Sequence, residues 1–352
     1  MSYSLLQQSD DFEKTVDSRE WRAKRRMEKK GKKNNMTLDE ILVEIKQAKN
    51  IVIMAHETPD GDAIGSCLAM CLATRNMEKN SYVMMKDIPE NFLYLPGKEF
   101  IITESDIETF DLAIVLDCPN IKRVSPEFIP YFENAKVKVE IDHHNKNDMF
   151  GDYNVVNHVS PATAQILVSS FEYLGIEITK DIGICLLTGV ITDTNGFRNS
   201  NVTVESFEFA SWALGKGINL PKIYNQSMLT MTKEKFEAQK LAINRLEFFA
   251  DGKIAFTYMT IADSLDLGLK PGDKDGIVEI GRGIEGVEVS IFLYEKDKGY
   301  KASLRSNEYV NVSEVCLMFG GGGHIKAAGA NMNMPLEDAK KAIIAEVTKY
   351  LK

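Results

Sequence analysis

The chain has 352 residues, five cysteines and a formal net charge of −9. This length is enough for two domains with hydrophobic cores. The acidic balance argues against a protein that captures long nucleic acid by bulk charge. The sequence has no apolar run of membrane-spanning length, so no membrane partner is expected. The cysteines are odd in number and none of them forms a C-x-x-C pair, so a disulfide framework is not indicated. A cytoplasmic protein is therefore predicted.

The N-terminal segment, residues 1–36, departs from this acidic balance. It contains ten Lys or Arg residues and six Asp or Glu residues, and most of the basic ones lie within 19–33. Like-charge runs are typical of solvated, flexible segments, and we expect such a tail here. The alternative is an arm that contacts nucleic acid.

The first half of the folded chain alternates short apolar runs with amphipathic segments. After a helix that begins at Thr37, strands are predicted at 51–55, 81–85, 111–117 and 137–141. Helices are predicted near 161–174, 181–191 and 203–214. Alternating strands and helices predict an α/β domain with a parallel sheet, over residues 37–214.

The pattern changes after Gly215, where a linker is predicted over 215–235. Strands are then predicted at 254–259, 287–294 and 300–305, with helices near 233–247, 274–285, 311–318 and 336–351. These elements predict a smaller α+β domain over 236–352. A substrate cleft between the two domains is a natural expectation for such an enzyme.

Three predicted strands of the first domain end at residues of the types that commonly bind metals. These residues are His56, Asp60 and Asp62 after the first strand, Asp117 after the third, and Asp142, His143 and His144 after the fourth. The carboxyl ends of parallel strands face one crevice, so these side chains are expected to meet. Carboxylates combined with imidazoles suit Mn²⁺, Mg²⁺ or Zn²⁺. The pattern therefore predicts a metal-dependent enzyme.

Each of these residues also has a structural interpretation. Asp62 fits a helix cap, and a single strand-end carboxylate such as Asp117 is common without a metal. Asp193, which follows an apolar helix, fits a cap equally well, although Arg198 nearby favours a site for phosphate. Asp142 can orient a histidine by accepting its ring N–H.

The second domain carries a glycine-rich stretch, Gly320 to Gly323, followed by His324. Successive glycines can turn backbone N–H groups toward an anion, which predicts phosphate binding by Gly321, Gly322, Gly323 and His324. Ser303 and Arg305 add a hydroxyl group and a cation. The alternative is a flexible turn.

Together these segments resemble the DHH phosphoesterase superfamily with its DHH-associated C-terminal domain. The matching segments, in order, are HETPDGDAIGS, VLDC, IDHHN, TDTNGF and GGGGH. The resemblance covers roughly residues 37–350. Within the superfamily, the chain looks most like the group of nanoRNases and 3′-phosphoadenosine 5′-phosphate (pAp) phosphatases.

The resemblance implies a site with two divalent metal ions, usually Mn²⁺, with Mg²⁺ as an alternative. One ion would be bound by His56, Asp60 and Asp117, and the other by Asp62, Asp117, His143 and Asp193. His144, supported by Asp142, would contact the scissile phosphate. The family commonly has Asn where this chain has Glu57, which is not a ligand in the pattern.

The function implied by the resemblance is hydrolysis of short oligoribonucleotides, of pAp, or of both. The alternative within the family is a phosphodiesterase for cyclic di-AMP or its linear product pApA. A catalytically silent nucleotide- or RNA-binding protein is a third interpretation, which the intact ligand set disfavours. The sequence leaves open whether the chain forms a homodimer.

Overall fold

The computed structural model describes residues 32–86, 88–270 and 272–352. These residues form two compact units, which divide between Thr230 and Met231. Most of the predicted basic tail lies outside the described residues. The structure therefore gives no account of the proposed nucleic-acid arm.

The first unit contains a six-stranded sheet in which every strand pair is parallel. The strands are β1 (Asn50–Met54), β2 (Asn80–Met84), β3 (Ile101–Ile102), β4 (Leu112–Leu116), β5 (Val137–Asp142) and β6 (Tyr153–Val156). Their order in the sheet is β3-β2-β1-β4-β5-β6. The two central strands, β1 and β4, are therefore neighbours although about 60 residues separate them.

Helices surround this sheet. They are α1 (Lys32–Gln47), α2 (Gly61–Asn76), α3 (Ile129–Glu133), α4 (Thr163–Leu174), α5 (Lys180–Asp193), α6 (Val204–Gly215) and α7 (Leu220–Tyr224), and α7 continues into a π-helical turn, Asn225–Leu229. Three short 3₁₀ helices span Glu90–Phe92, Lys98–Phe100 and Ile121–Arg123. On β1, Ile51 and Ile53 enter one core while Val52 and Met54 enter a second core on the other face. Burial on both faces explains why these strands are apolar runs without alternation.

The second unit contains a six-stranded mixed sheet of order β11-β12-β10-β9-β8-β7. Its strands are β7 (Glu247–Phe249), β8 (Ile254–Met259), β9 (Val289–Lys296), β10 (Gly299–Ser306), β11 (Gly322–His324) and β12 (Ala327–Met332). Its helices are α8 (Lys233–Asn244), α9 (Ile261–Asp266), α10 (Ile277–Arg282), α11 (Val312–Leu317) and α12 (Leu336–Thr348). Only the β8–β9 pair is parallel.

Strand β10 of this second sheet alternates between two faces. On β10, Ala302 and Leu304 point into a core that also contains Ala339 and Ile343 of α12. The intervening residues Lys301, Ser303 and Arg305 are exposed or half-buried. The sheet therefore has one apolar face under α11 and α12, and an opposite face that is polar along β10 but holds a second, smaller core at Met259 and Phe292.

The predicted fold class, an α/β parallel-sheet domain with a smaller second domain, is confirmed. The first helix begins at Lys32 rather than Thr37, because the Thr37-x-x-Glu40 pattern also fits a helix interior. The segment predicted as a linker contains α7 and the start of α8. Strands β6 and β12 were not predicted, since Tyr153–Val156 is short and Ala327–Met332 is rich in small residues. The proposed domain limits stay predictions.

Candidate metal centre and substrate-binding face

The three central strands of the first unit end side by side. In the sheet, β4 lies between β1 and β5. The residues that follow them, His56, Asp117 and His143, therefore share the carboxyl edge of the sheet, as expected from the sequence. This edge is where the strand order reverses direction and where α/β proteins bind ligands.

Asp117 lies at the centre of this group and is only 2% exposed. Its Oδ2 lies 3.8 Å from His56 Nε2, and its Oδ1 lies 3.4 Å from His143 Nε2. Its backbone has φ of 54°, a left-handed conformation that is unfavourable for a residue other than glycine. Such strain persists where a function requires it.

The candidate metal ligands form two groups beside Asp117, and a third group, Asp117 with His143 and His144, overlaps them. In the first group, ligand atoms of His56, Asp60 and Asp117 all lie within 4.8 Å of one another. The same holds for Asp62, His143 and Asp193 in the second group. His143 links the two, because its Nε2 is 3.2 Å from Asp193 Oδ2 as well as close to Asp117.

Two of these carboxylates also cap helices. Asp60, not Asp62, is the N-cap of α2, and its Oδ1 accepts hydrogen bonds from the backbone N–H groups of Asp62 and Ala63. Asp62 accepts hydrogen bonds from the N–H groups of Thr163 and Ala164 at the start of α4. These contacts fix the direction of both carboxylates, so their structural role is compatible with the predicted role as metal ligands.

Close contact between α2 and α5 holds Asp62 against Asp193. A Cβ atom added at Gly65 would lie 2.4 Å from the carbonyl oxygen of Cys185, and one at Gly189 would lie 2.6 Å from Asp62 Oδ1. Only glycine permits this approach at both positions. The glycines therefore position the ligands, a role that the sequence pattern did not reveal.

Burial and neighbouring charges shift the pKa values of the side chains in the second group. Burial, together with the charge of Asp117, raises the pKa of Asp62 to about 7. The pKa of Asp193 is raised by burial and by Asp62 and Asp117. Burial would lower the pKa of His143, but its hydrogen bond to Asp117 and the nearby carboxylates raise the pKa to about 10.

Burial would raise the pKa of Asp117, but the hydrogen bond from His143 and the charges of the three histidines bring it below the ordinary value. Four carboxylates therefore lie close together in this centre, and bound protons provide most of the neutralisation of their negative charge. A divalent cation would replace those protons.

The donor set fits divalent metal ions. Among the described residues, Nδ1 of His56 is buried without a hydrogen-bond partner. Its other ring nitrogen is too far from Asp117 for a hydrogen bond. A mixture of carboxylates and imidazoles favours an ion such as Mn²⁺ over one that takes oxygen ligands alone.

His144 belongs to a separate chain of hydrogen bonds. Its Nδ1 lies 2.7 Å from Oδ1 of Asp142, which is fully buried. Asn147 donates its Nδ2 to Asp142 Oδ2, at 2.7 Å, and to Oε1 of Glu140, at 2.5 Å. Sequence reasoning identified Asp142 but missed Asn147 and Glu140, whose only signal was their position beside the histidine pair.

The second unit places Ser303, Arg305, Gly322 and His324 on one face of its sheet. Ser303 and Gly322 both lie opposite Gly329 on the neighbouring strand β12. Arg305 and His324 both lie opposite Ala327 of β12. Directly opposed residues share a face. The structure therefore brings these four residues together on its polar side.

The second half of the glycine stretch is a strand, and the predicted phosphate contacts of the stretch stay predictions. Gly322–His324 pairs with β12, and a Cβ atom added at Gly321 would lie 2.2 Å from the carbonyl oxygen of Gly329. A Cβ atom at Gly323 would lie 2.6 Å from the carbonyl oxygen of Ala327. Close strand approach thus explains Gly321 and Gly323, whereas open space surrounds Gly322 and leaves room for a ligand.

Comparison with known proteins gives a family match for each of the two units. The family model for the N-terminal domain of the DHH family matches residues 50–190, and the model for the DHHA1 domain matches residues 251–352. The bifunctional oligoribonuclease and PAP phosphatase NrnA of Thermus thermophilus is 31% identical over 303 residues, which cover 86% of this chain and 90% of NrnA. The chain belongs to the DHH family of phosphoesterases.

Two further similarities place this DHH protein among its relatives. The cyclic-di-AMP phosphodiesterase PdeA of Listeria monocytogenes is 24% identical over 93% of the chain, which spans 51% of PdeA. A crystal structure of an exopolyphosphatase-related protein from Bacteroides fragilis has a TM-score of 0.81 and 26% identity, and the match covers 90% of this chain and 96% of that one.

Arg198 makes no side-chain contact with the candidate ligands of this DHH protein within the residues that the structure describes. It is exposed, follows a run of left-handed residues from Asn195 to Phe197, and its side chain makes no hydrogen bond or ion pair within the described residues. Its predicted contact with phosphate stays a prediction. In residues 32–86, 88–270 and 272–352, no helix is both long and apolar enough to cross a membrane.

Proposed function

We propose that this DHH phosphoesterase hydrolyses short oligoribonucleotides and pAp with two divalent metal ions, Mn²⁺ in preference to Mg²⁺. The observation that carries the proposal is the pair of ligand groups on either side of Asp117. A carboxylate with one oxygen toward each group can hold two ions a few ångströms apart, which suits phosphoryl displacement.

When bound, two such ions supply a water molecule of lowered pKa and offset the charge that develops on the phosphate. The chain itself orients the other groups. Asp142 accepts the Nδ1 proton of His144, which leaves Nε2 of His144 available for the substrate. A protonated His144 would donate from Nε2 to a phosphate or leaving-group oxygen, and Asp142 would stabilise that cation.

The polar face of the second unit supports a nucleotide substrate. Arg305 offers a guanidinium group that matches phosphate oxygens, and it pairs with Glu279 in this structure. Ser303 and His324 add donors on the same face. We propose that these residues bind a phosphate of the substrate other than the one that is cleaved.

Cyclic di-AMP, with its product pApA, is the second candidate substrate. It is favoured by the similarity to PdeA, which extends over nearly the whole chain. A catalytically silent binding protein is the weaker interpretation, since a protein without activity has no need of six metal-ligating side chains gathered at one strained carboxylate.

A substrate panel tests the proposal. The purified full chain with Mn²⁺ would be given pApA, a 5-mer RNA, pAp and cyclic di-AMP, and kcat/KM would be measured for each. We expect the largest values for the 5-mer or pAp, and loss of all activity with a chelator. A dominant value for cyclic di-AMP or pApA would replace the substrate assignment, and no turnover of any of the four would reject the function.

Several related expectations stay predictions. They are a cytoplasmic location, a homodimer, a cleft that uses both domains, and an arm formed by residues 1–36 that contacts nucleic acid. Removal of residues 1–31 would test the arm, because only nucleic-acid binding by that segment makes KM rise for RNA and not for pAp.

A further inference from the structure

The polar face of the second sheet continues beyond Arg305 into a cluster of lysines. Lys301 lies on the same face of β10 and pairs with Tyr294 of β9. The ammonium nitrogens of Lys296, Lys301 and Lys274 lie 5.0, 5.7 and 5.9 Å from the centre of the Tyr294 ring. Three cations therefore converge on one aromatic side chain.

No carboxylate neutralises this cluster by a direct ion pair. Within the described ranges, none of the three ammonium groups has a carboxylate oxygen within 4.0 Å. Asp273 and Asp275 are the nearest acidic neighbours of Lys274 along the chain, and they act on it only at longer range. Burial, with the charge of Lys296, lowers the pKa of Lys274. The lysines thus repel one another, and an anion bound among them would remove that repulsion.

The cluster lies on a part of the sheet that is open. Helices α8 and α10 pack on the same face over β8 and β9, where Ala242, Ile277 and Phe292 share a core against which Tyr294 packs. Further along the face, Lys301, Asn331 and His324 are exposed. A ligand phosphate can therefore reach Lys301 from solvent, while a ligand at Arg305 would take the place of Glu279 of α10.

We propose that Lys274, Lys296 and Lys301, gathered around Tyr294, form an additional phosphate-binding subsite for oligoribonucleotides longer than a dinucleotide. This inference rests on the proposed function. It concerns the length of the substrate, which the metal centre alone does not determine.

The separation of the two ends of the face sets the length. Arg305 and Lys301 are four residues apart on one strand, which corresponds to roughly 13 Å at about 3.3 Å per residue. A stacked nucleic-acid strand advances about 3.4 Å per nucleotide. A dinucleotide is therefore too short to reach both ends of the face, whereas a 5-mer is long enough.

The test compares a 2-mer and a 5-mer on the Lys296→Gln/Lys301→Gln double variant. We expect KM for the 5-mer to rise roughly three- to tenfold, because phosphate contacts are lost. The slope of log KM against log salt for the 5-mer should fall by about 0.7 for each contact removed from a single strand. KM for the 2-mer should stay within about twofold, as for a surface change away from its site.

Lys341→Gln supplies the matched control. Lys341 is an exposed lysine on α12, the helix that covers the opposite face of the sheet. The Lys341→Gln substitution removes one positive charge from a surface that is not the polar face. The KM of this variant for the 2-mer and for the 5-mer should be unchanged. Equal thermal melting of all variants would show that folding is retained.

Three results would overturn the subsite. They are an unchanged KM for the 5-mer in the double variant, an equal rise for the 2-mer, and the same rise in Lys341→Gln. If the wild-type protein hydrolyses neither RNA, the proposed function fails separately. The subsite is then judged by fluorescence anisotropy, where it stands only if the double variant weakens binding of a labelled 5-mer and not of a labelled 2-mer.

Discussion

The two sheets of this protein bring functional residues together in opposite ways. The parallel sheet is apolar on both faces, and its functional residues follow the ends of its strands. His56, Asp117 and His143 lie far apart in the sequence and meet within a few ångströms. The mixed sheet is open to solvent over part of one face, and its candidate functional residues alternate along β10, from Lys301 to Ser303 to Arg305.

We infer from this difference that the parallel sheet carries the catalytic chemistry and the mixed sheet binds the substrate. Strand ends converge on one buried point, where low solvent exposure strengthens electrostatic interactions and shifts pKa values. An alternating face spreads its side chains along a line, where each remains near solvent and can contact a different part of a long ligand. We therefore expect substitutions at the strand ends to lower kcat and substitutions on the open face to raise KM.

Asp117→Asn should have the largest effect. The substitution removes the carboxylate whose two oxygens lie near His56 and near His143. We expect kcat to fall by at least about a thousandfold, since metal ions supply several kcal/mol of transition-state stabilisation. The measurement is kcat on pApA together with the amount of bound Mn²⁺.

Asp111→Asn is the matched control, because Asp111 lies at the opposite end of the same strand. Its carboxylate accepts hydrogen bonds from Lys49, Asn50 and Lys136. We expect this variant to be less stable but to keep its kcat. Loss of kcat in both variants would contradict the assignment of chemistry to the carboxyl edge.

Asn147→Ala should have the next largest effect. Asn147 ties Asp142 to the buried Glu140, and without it the Asp142 carboxylate is free to rotate away from His144. Loss of such a supporting group typically costs about ten- to a hundredfold in activity, and we expect it in kcat with KM little changed. Asn145→Ala, an exposed neighbour in the same loop, should be unaffected, and equal activities of the two variants would show that the hydrogen-bond chain is unimportant.

Mn²⁺ binding should depend steeply on pH. In the metal-free fold the pKa of His143 is about 10 and that of Asp62 about 7, so at neutral pH His143 is protonated and Asp62 is about half protonated. Mn²⁺ must displace these protons, and its affinity should rise about tenfold per pH unit for each proton displaced.

The same shifts set the stability of the metal-free protein. Because the folded pKa of Asp62 is raised, the fold binds more protons than the unfolded chain from about pH 4 to about pH 7, and stability falls as pH rises through that range. The contribution of His143 is present below about pH 6.5 and is lost as pH rises toward 10. The increase in Tm on adding Mn²⁺ should therefore be larger at pH 8 than at pH 6, and an increase that does not vary with pH would contradict the carboxylate ligands.

Much of the parallel domain could be predicted from the sequence, because its signals are local. An apolar run that ends in His or Asp reveals both a strand and its carboxyl end, and topology then brings the ends together. Asn147 and Glu140 could not be predicted, because their hydrogen bonds depend on the path of the loop after His144. The same limit explains the glycine stretch, where the contact of Gly321 with Gly329 requires knowledge of strand pairing.

Arg305→Gln should have a smaller effect, and in KM. Arg305 offers a charge-assisted contact to phosphate, whose loss is worth about 1.5–3 kcal/mol, or on the order of tenfold or more in KM. We expect kcat to change little, because the residue lies on the open face. Arg282→Gln is the control, since Arg282 also pairs with Glu279 but is not on β10. A fall in kcat without a change in KM would break the division between the two sheets.

Glu57→Asn should have the smallest effect. Glu57 follows His56 at the position where the family resemblance predicts Asn, and its side chain is exposed. What fixes the loop here is the backbone, because the N–H of Glu57 donates to the carbonyl of Arg123 at 2.6 Å and so joins the loop after β1 to the segment after β4. Any residue keeps that bond, so kcat/KM and Tm should stay within the range of a neutral surface change, about 0.5 kcal/mol or twofold. A large loss of kcat in Glu57→Asn would mean that this carboxylate takes part in the metal centre, which would then draw on a residue outside both ligand groups.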